Sequence, residues 1–286
     1  MFGVVPKTIW SKSNPPDDHN MCTWALRCLL IEDGERLMLI DNGIGDKQDS
    51  KFFSHYYLHG EDTLERSLKQ KGFSPDDITD MFLTHLHFDH CGGSIKYSSD
   101  KSKLETVFRH ATYWSNNEHW EWATKPNPRE KASFLKENIQ PISESGQLKM
   151  VKGIRDQGTG TGNQGTGTGE KYNATEQLGE NISLLYVRGH TDAMMLPHIK
   201  YKGKTVVYMA DLLPSIGHIP LPYVMGYDTR PLLTLSEKAK FLEEAVENEY
   251  VLFFEHDPVN ECCTLQRTEK GIRLKDKFPL REYFGE

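Results

Sequence analysis

Residues 84–93 read THLHFDHCGG and follow directly on a short apolar run. Three imidazoles and one carboxylate therefore lie within six residues at the end of a predicted strand. Polar groups at this density need partners, because burying them unpaired costs free energy. Zinc binds neutral imidazole and carboxylate groups, and a catalytic zinc keeps one position open for water. The segment predicts His85 and His87 as ligands of one metal ion, and Asp89 and His90 as ligands of a neighbouring one.

Three further candidate ligands lie far along the chain, each after an apolar run. His190 stands in a Gly-His-Thr sequence after one run, Asp211 ends a Met-Ala-Asp sequence after another, and His256 follows a third. Loops at strand ends commonly carry the functional side chains of a folded domain. We therefore expect these three side chains to join the histidine-rich segment at one edge of the sheets.

The composition is that of a folded protein with a large core. The chain has 286 residues, of which 37% are hydrophobic, and a chain of this length buries roughly 75% of its unfolded surface. Its 34 basic and 41 acidic residues give a formal net charge of −7. Because an acidic chain without a long Lys/Arg run lacks the charge pattern that binds phosphate backbones, we expect no nucleic-acid partner.

Neither residues 1–20 nor any later window has the apolar run of a signal sequence or of a transmembrane helix. We therefore expect a cytoplasmic protein that does not insert into membranes. The chain has five cysteines but no Cys-X-X-Cys pair, which argues against a disulfide framework and against a thiolate zinc site.

Hydrophobic periodicity predicts a mixture of strands and helices. Two apolar runs within 21–41, separated by an Asp33-Gly34 turn signal, are typical of a β-hairpin. Helices are predicted at 61–70, at 115–137 with breaks at Pro126 and Pro128, and at 235–247. Buried strands are predicted at 81–84, 148–151, 182–187, 195–200, 205–210 and 250–254. We expect the run at 148–151 and the three runs after it to be successive strands of a sheet, an order that favours an α/β sandwich.

A tandem duplication interrupts this pattern. Residues 157–163 read QGTGTGN, and residues 164–170 read QGTGTGE. A phosphate-binding loop would follow a strand and close with Lys and Ser or Thr, and this segment does neither. We therefore expect a flexible Gly/Thr-rich loop at 156–171 within a single domain that spans 1–286.

The order of the candidate ligands resembles that of the metallo-β-lactamase-fold hydrolases, in which HxHxDH precedes a Gly-His-Thr histidine, an aspartate and a last histidine. The resemblance spans at least 36–258 and implies an α/β fold of the αββα sandwich type that binds two Zn²⁺ ions per chain. Residue by residue, it assigns the first zinc to His85, His87 and His190, the second to Asp89, His90 and His256, and the bridge between them to Asp211.

Within that superfamily, residues 2–7, 84–93 and 221–228 are similar to the quorum-quenching N-acyl-homoserine-lactone lactonases and their methyl-parathion-hydrolase-like relatives. The similarity implies opening of the lactone ring of N-acyl-homoserine lactones by attack of a metal-bridging hydroxide. Asp89 would then carry the proton to the departing oxygen. The expected partner is a small lactone, and a homodimer is left open.

Two positions depart from the pattern of this subgroup. Many of its members have a tyrosine three residues after the bridging aspartate, where this chain has Pro214, and Gly-His-Thr is followed here by Asp-Ala rather than Pro-Gly. His218, a few residues further on, is the nearest candidate for the missing hydrogen-bond donor to the substrate, and an ordinary loop histidine is the equally weighted alternative. Several other histidines, His119 among them, have no supporting pattern and are assigned no role.

The same metal chemistry is compatible with other activities. A phosphotriesterase or aryl esterase of the same fold is the first alternative, because the pocket decides whether carbon or phosphorus is attacked. A di-iron redox protein on this scaffold is disfavoured, since that family implies a glutamate where this chain has His87. A non-hydrolytic metal-binding module is the third alternative.

Overall fold

The computed structural model describes residues 1–151 and 176–285 of the chain. By their internal contacts, residues 28–151 form one unit, and residues 1–27 form a second unit with the described residues after 151. The predicted loop at 156–171 lies outside the described residues. The single-domain organisation stays a prediction.

The elements of the described residues are short strands and helices of up to 17 residues. The strands are β1 (Leu29–Asp33), β2 (Arg36–Ile40), β3 (Asp80–Phe82), β4 (Ile95–Tyr97), β5 (Leu104–Thr106), β6 (Thr112–Asn116), β7 (Leu148–Val151), β8 (Glu176–Gln177), β9 (Ile182–Val187), β10 (Met194–Tyr201), β11 (Lys204–Tyr208), β12 (Val251–Phe253), β13 (Cys262–Thr268) and β14 (Gly271–Phe278). The helices are α1 (Lys7–Trp10), α2 (Ser50–Phe53), α3 (Leu64–Gln70), α4 (Phe88–Cys91), α5 (Asn117–Thr124), α6 (Lys136–Glu144), α7 (Pro231–Glu247) and α8 (Leu280–Phe284).

The unit at 28–151 is built on a five-stranded sheet with the strand order β1-β2-β3-β6-β7. The predicted hairpin is confirmed: β1 pairs antiparallel with β2, and Gly34 has the positive φ of +65° that a two-residue turn demands. From β2 to β7 the strands run parallel. The central strand β3 is buried along its whole length, as expected for a parallel sheet covered on both faces.

The second unit contains, among the described residues, a seven-stranded sheet with the order β14-β13-β12-β11-β10-β9-β8. Its pairs are antiparallel except β11 with β12, which are parallel. Parallel neighbours need a long crossover connection, and the 17-residue helix α7 lies within it. No helix in the described ranges is long and apolar enough to cross a membrane.

Two predictions of local structure were wrong. The segment at 115–137 is helical before the predicted breaks only in α5, and the rest of it is the end of β6, a stretch of turns and the first two residues of α6. Asn116 ends the strand and caps α5, since its side chain accepts the His119 N–H at 2.8 Å. The run at 148–151 is β7, which pairs with β6 in the sheet of the unit at 28–151 rather than with the three later strands.

Candidate metal centre

The histidine-rich segment leaves the central strand β3 and enters the short helix α4. The strand ends at Phe82, and His87 lies at the N-terminal cap of the helix. Directly after the helix the backbone passes close to an earlier loop: a Cβ on Gly92 would lie 2.1 Å from the carbonyl oxygen of Ile44. Only glycine permits this approach, which fixes the path of the segment that carries the four predicted ligands.

One buried carboxylate, Asp41, holds two of these ligands. Its Oδ2 lies 2.7 Å from the Thr84 hydroxyl and 3.0 Å from His90 Nδ1, and its Oδ1 accepts the Thr84 N–H at 2.8 Å. Because the Thr84 hydroxyl donates its proton to Asp41, it accepts from His85 Nδ1, which lies 3.1 Å away. Both His85 and His90 therefore carry their proton on Nδ1 and keep the lone pair of Nε2 for a ligand.

His85 and His87 turn ring nitrogens toward each other. His85 Nε2 lies 3.1 Å from His87 Nδ1, and both rings are buried. Two imidazole nitrogens attract each other at this distance when a proton or a metal cation lies between them. The pair therefore fits the metal ion that the sequence predicts here.

Asp89 differs from the other predicted ligands because its side chain reaches solvent. The carboxylate is 31% exposed and lies 3.9 Å from His90 Nε2, the ring nitrogen that Asp41 leaves with a lone pair. Asp89 is thus placed beside a ligand nitrogen and can still exchange protons with water.

In the second unit, Asp211 lies between two histidines. Its Oδ2 lies 3.0 Å from His190 Nε2, and its Oδ1 lies 3.0 Å from His256 Nε2. The other nitrogen of each ring is held as well: His190 Nδ1 by Asp228 Oδ1 at 3.0 Å, and His256 Nδ1 by the carbonyl of Ala25 at 2.9 Å. Each oxygen of Asp211 thus faces its own imidazole, as in a carboxylate that bridges two cations.

The charges around His190 favour a positive ion. Burial lowers the pKa of His190, but the carboxylates of Asp211 and Asp228 outweigh burial through their charge and hydrogen bonds and raise it to about 10. The ring is therefore protonated at neutral pH when no metal is bound. A metal ion has to replace that proton, so its binding releases the proton to solvent.

Helix α7 fixes the backbone that leads to His190. The Glu237 carboxylate accepts the N–H groups of Arg188 at 2.7 Å and Gly189 at 2.9 Å. A Cβ on Gly189 would lie 2.3 Å from the backbone nitrogen of Thr234, so the close approach requires glycine. Burial raises the pKa of Glu237 to about 7, although the two N–H groups lower it.

His218 is a buried histidine in the second unit. Asn14 Nδ2 donates to Ser215 Oγ at 3.4 Å, and Ser215 Oγ lies 2.9 Å from His218 Nδ1. The other ring nitrogen, Nε2, is buried and has no hydrogen-bond partner among the described residues. Burial, together with the charge of Lys238, lowers the pKa of His218 well below its usual range, so the ring is neutral.

Sequence reasoning missed several residues that hold the predicted ligands. Asp41 and Asp228 hydrogen-bond to ligand rings, and His119 Nε2 accepts the N–H of Leu86 at 2.8 Å. Glu130 Oε1 lies 3.4 Å from His87 Nε2. Of these residues, only Asp41 could have been found from the sequence, because it directly follows the apolar run of β2, as the predicted ligands follow their own apolar runs.

Replacing Asp41 with alanine is expected to lower the free energy of unfolding by about 3 kcal/mol, because it leaves buried donors of Thr84 and His90 without their acceptor. Urea denaturation of the metal-free protein measures this change. The Asp46→Ala variant is the control, since Asp46 is exposed in the loop after β2 and should change stability by at most about 0.5 kcal/mol. Equal stability of the two variants would contradict the role given to Asp41.

The fold and the ligand geometry agree with the comparison to known families. The profile of the Metallo-beta-lactamase superfamily matches residues 27–256, so the chain belongs to this superfamily and is a metal-dependent hydrolase of that class. The N-acyl homoserine lactonase of Bacillus cereus is 30% identical over 251 residues, which cover 83% of this chain and 82% of that protein.

Solved structures show the same fold. A probable metal-dependent hydrolase from Staphylococcus aureus has a TM-score of 0.81 at 22% identity, covering 97% of this chain and 90% of that one. AidC, a dizinc quorum-quenching lactonase in complex with a product, has a TM-score of 0.69 at 23% identity, covering 95% of this chain and 85% of that one. The predicted fold class, the αββα sandwich of the metallo-β-lactamase type, is confirmed.

Proposed function

We propose that the protein is a dizinc hydrolase that opens the lactone ring of N-acyl-homoserine lactones. The observation that carries the metal part is Asp211, whose two carboxylate oxygens each face a different imidazole at 3.0 Å. The lactone part is supported by the 30% identity to the Bacillus cereus lactonase over 82% of that protein.

Two zinc ions are proposed to share seven ligands. In support, four of the five proposed ligand histidines have Nδ1 within hydrogen-bond distance of a carboxylate, a hydroxyl or a carbonyl, which leaves Nε2 to bind. Histidines that bind zinc usually donate their other N–H in this way. The proposed assignment is His85, His87 and His190 for the first ion, Asp89, His90 and His256 for the second, and Asp211 for the bridge.

Zinc ions held by these side chains supply the acidity that activates a water molecule at neutral pH and the charge that polarises the substrate carbonyl. Asp89 then acts as the proton carrier. The ring oxygen that leaves the carbonyl carbon needs a proton, and Asp89 is the partly exposed ligand that can deliver it and recover one from solvent.

His218 is proposed to donate a hydrogen bond to the oxygen of the attacked carbonyl. Negative charge develops on this oxygen during attack, and a fixed donor there stabilises the transition state. A proton donated by the Ser215 hydroxyl to Nδ1 would keep the proton of His218 on Nε2, the nitrogen that has no other hydrogen-bond partner among the described residues. His218 thereby replaces the phenol that related lactonases carry where this chain has Pro214.

The proline at position 214 favours a second candidate function. Pro214 stands where the resemblance implies a tyrosine that assists lactone binding, whereas all seven proposed ligand positions carry a residue that can bind metal. A phosphotriester or an aryl ester needs the same activated water and no phenol at that point. Hydrolysis of such an ester is therefore the competing proposal.

The zinc-loaded protein is expected to release acid from N-acyl-homoserine lactones, and faster from long acyl chains than from short ones. Each CH₂ buried in an apolar pocket contributes about 0.8 kcal/mol, which corresponds to roughly a fourfold gain in kcat/KM. A pH-indicator assay over a series of chain lengths measures this gain, with chelator-treated protein as the control. No lactone turnover alongside clear hydrolysis of a phosphotriester would reject the lactone proposal in favour of the second candidate.

A further inference from the structure

We propose that Glu130 is a positioning residue that sets which ring nitrogen of His87 binds metal. Glu130 lies in the segment between α5 and α6, and it is 3% exposed. Its Oε1 lies 3.4 Å from His87 Nε2, on the side of the ring opposite to the nitrogen that faces His85. The inference rests on the proposed metal centre and is independent of the lactone substrate.

The carboxylate of Glu130 is held in one orientation. Its Oε2 accepts hydrogen bonds from Trp122 Nε1 at 2.7 Å and from Asn127 Nδ2 at 2.6 Å. Asn127 is itself fixed, because its Oδ1 accepts the backbone N–H groups of Arg129 at 2.9 Å and Glu130 at 3.2 Å. Two donors at one oxygen leave the other oxygen, Oε1, directed at His87.

The segment that carries Glu130 is attached to the histidine-rich segment at two further points. The N–H of Phe88 donates to the carbonyl of Ser133 at 2.9 Å, and the Phe134 ring lies 4.8 Å from the ring of His87. The distance between Glu130 and His87 is therefore maintained by backbone and ring contacts on both sides, and not by the carboxylate alone.

This arrangement has a chemical consequence for His87. At 3.4 Å the two atoms are farther apart than in an ordinary N–H···O hydrogen bond, but a carboxylate is an acceptor only, and its negative charge favours the imidazole proton on the nitrogen that faces it. With the proton on Nε2, the lone pair lies on Nδ1, which faces His85 Nε2 at 3.1 Å. The two lone pairs then converge on one point, where a cation is required.

The burial of Glu130 also favours a cation bound to His87. Glu130 is 3% exposed, and positive charge nearby stabilises a buried carboxylate. Coordination of a cation at Nδ1 makes the Nε2–H of the same ring more acidic and strengthens its attraction to the carboxylate. Glu130 and the metal ion therefore stabilise the same tautomer of His87.

The test is the Glu130→Gln variant, which keeps the shape of the side chain. Trp122 and Asn127 hold the amide oxygen, so the amide NH₂ faces His87 and forces its proton onto Nδ1. We expect metal affinity to fall by roughly 10- to 100-fold, measured by competition of Zn²⁺ or Co²⁺ with a chelator. The Co²⁺ visible spectrum should change as well, because a ligand is lost.

The matched control is Glu121→Gln, which removes an exposed carboxylate of α5 that pairs with Lys125. Its metal affinity should equal that of the unchanged protein. Unchanged affinity of Glu130→Gln would overturn the inference. Should that variant fail to fold, the Glu130→Ala variant decides by the same chelator competition: weaker metal binding supports the inference, and unchanged affinity overturns it.

These outcomes separate the inference from the proposed function. A protein that binds zinc with the expected dependence on Glu130, but does not hydrolyse lactones, retains the inference and loses the lactone proposal. A protein that hydrolyses lactones with the same zinc affinity in the Glu130→Gln variant loses only the inference.

Discussion

The Asp211→Ala variant should bind no more than one zinc ion per chain and lose most of its activity. Two divalent cations roughly 3.5 to 4 Å apart repel each other by about 4 kcal/mol even at the dielectric constant of water. Without the shared carboxylate that repulsion is no longer offset, and about 4 kcal/mol corresponds to roughly a 10³-fold weaker second metal site. Elemental analysis after zinc-replete expression measures the loss.

Two further variants make this result specific. Asp211→Asn keeps the size of the side chain and removes its charge, so it should lose the second metal ion as Asp211→Ala does. Asp276→Ala removes an exposed carboxylate from β14 of the seven-stranded sheet and should keep full metal content. Two zinc ions per chain in Asp211→Ala would contradict the bridging role.

The His218→Ala variant should retain its zinc and lose roughly 10²- to 10³-fold in kcat, which is the usual effect of removing one well-placed donor to a developing oxyanion. KM should change little, because the hydrogen bond strengthens mainly in the transition state. Steady-state kinetics on whichever ester the zinc-loaded protein hydrolyses, together with metal analysis, measure both quantities.

His198 provides the control for this experiment. It is also buried in the second unit, but its Nδ1 bonds to the carbonyl of Leu196 and it has no proposed role in the reaction. His198→Ala should therefore lower stability without a comparable loss in kcat. Equal losses in the two variants, or loss of zinc in His218→Ala, would show that His218 acts through structure and not as a donor.

The parts of the fold that were predictable from sequence depend on local signals. The hairpin at β1 and β2 could be predicted because Gly34 directly follows Asp33 between two apolar runs, and the turn needs its positive φ. The metal segment could be predicted because polar side chains that are costly to bury follow the fully buried strand β3.

The remaining parts depend on contacts between residues distant in sequence. Asp41 lies 49 residues before His90, and Asp228 lies 38 residues after His190, so no local spacing reveals either pair. The region after β6 was mispredicted for a different reason. Its aromatic and charged residues have helical spacing, but 115–116 complete β6, helix α5 ends at Thr124, and the chain beyond the prolines forms turns that carry Glu130.

The position of Asp41 has a consequence for how far a substitution there would act. This one carboxylate orients His90 directly and His85 through the Thr84 hydroxyl, and the two histidines are proposed ligands of different ions. Asp41 is fully buried, and the backbone N–H and hydroxyl of Thr84 hold its two oxygens, so both rings depend on a single support. Loss of this carboxylate would therefore weaken both proposed metal sites together rather than one of them.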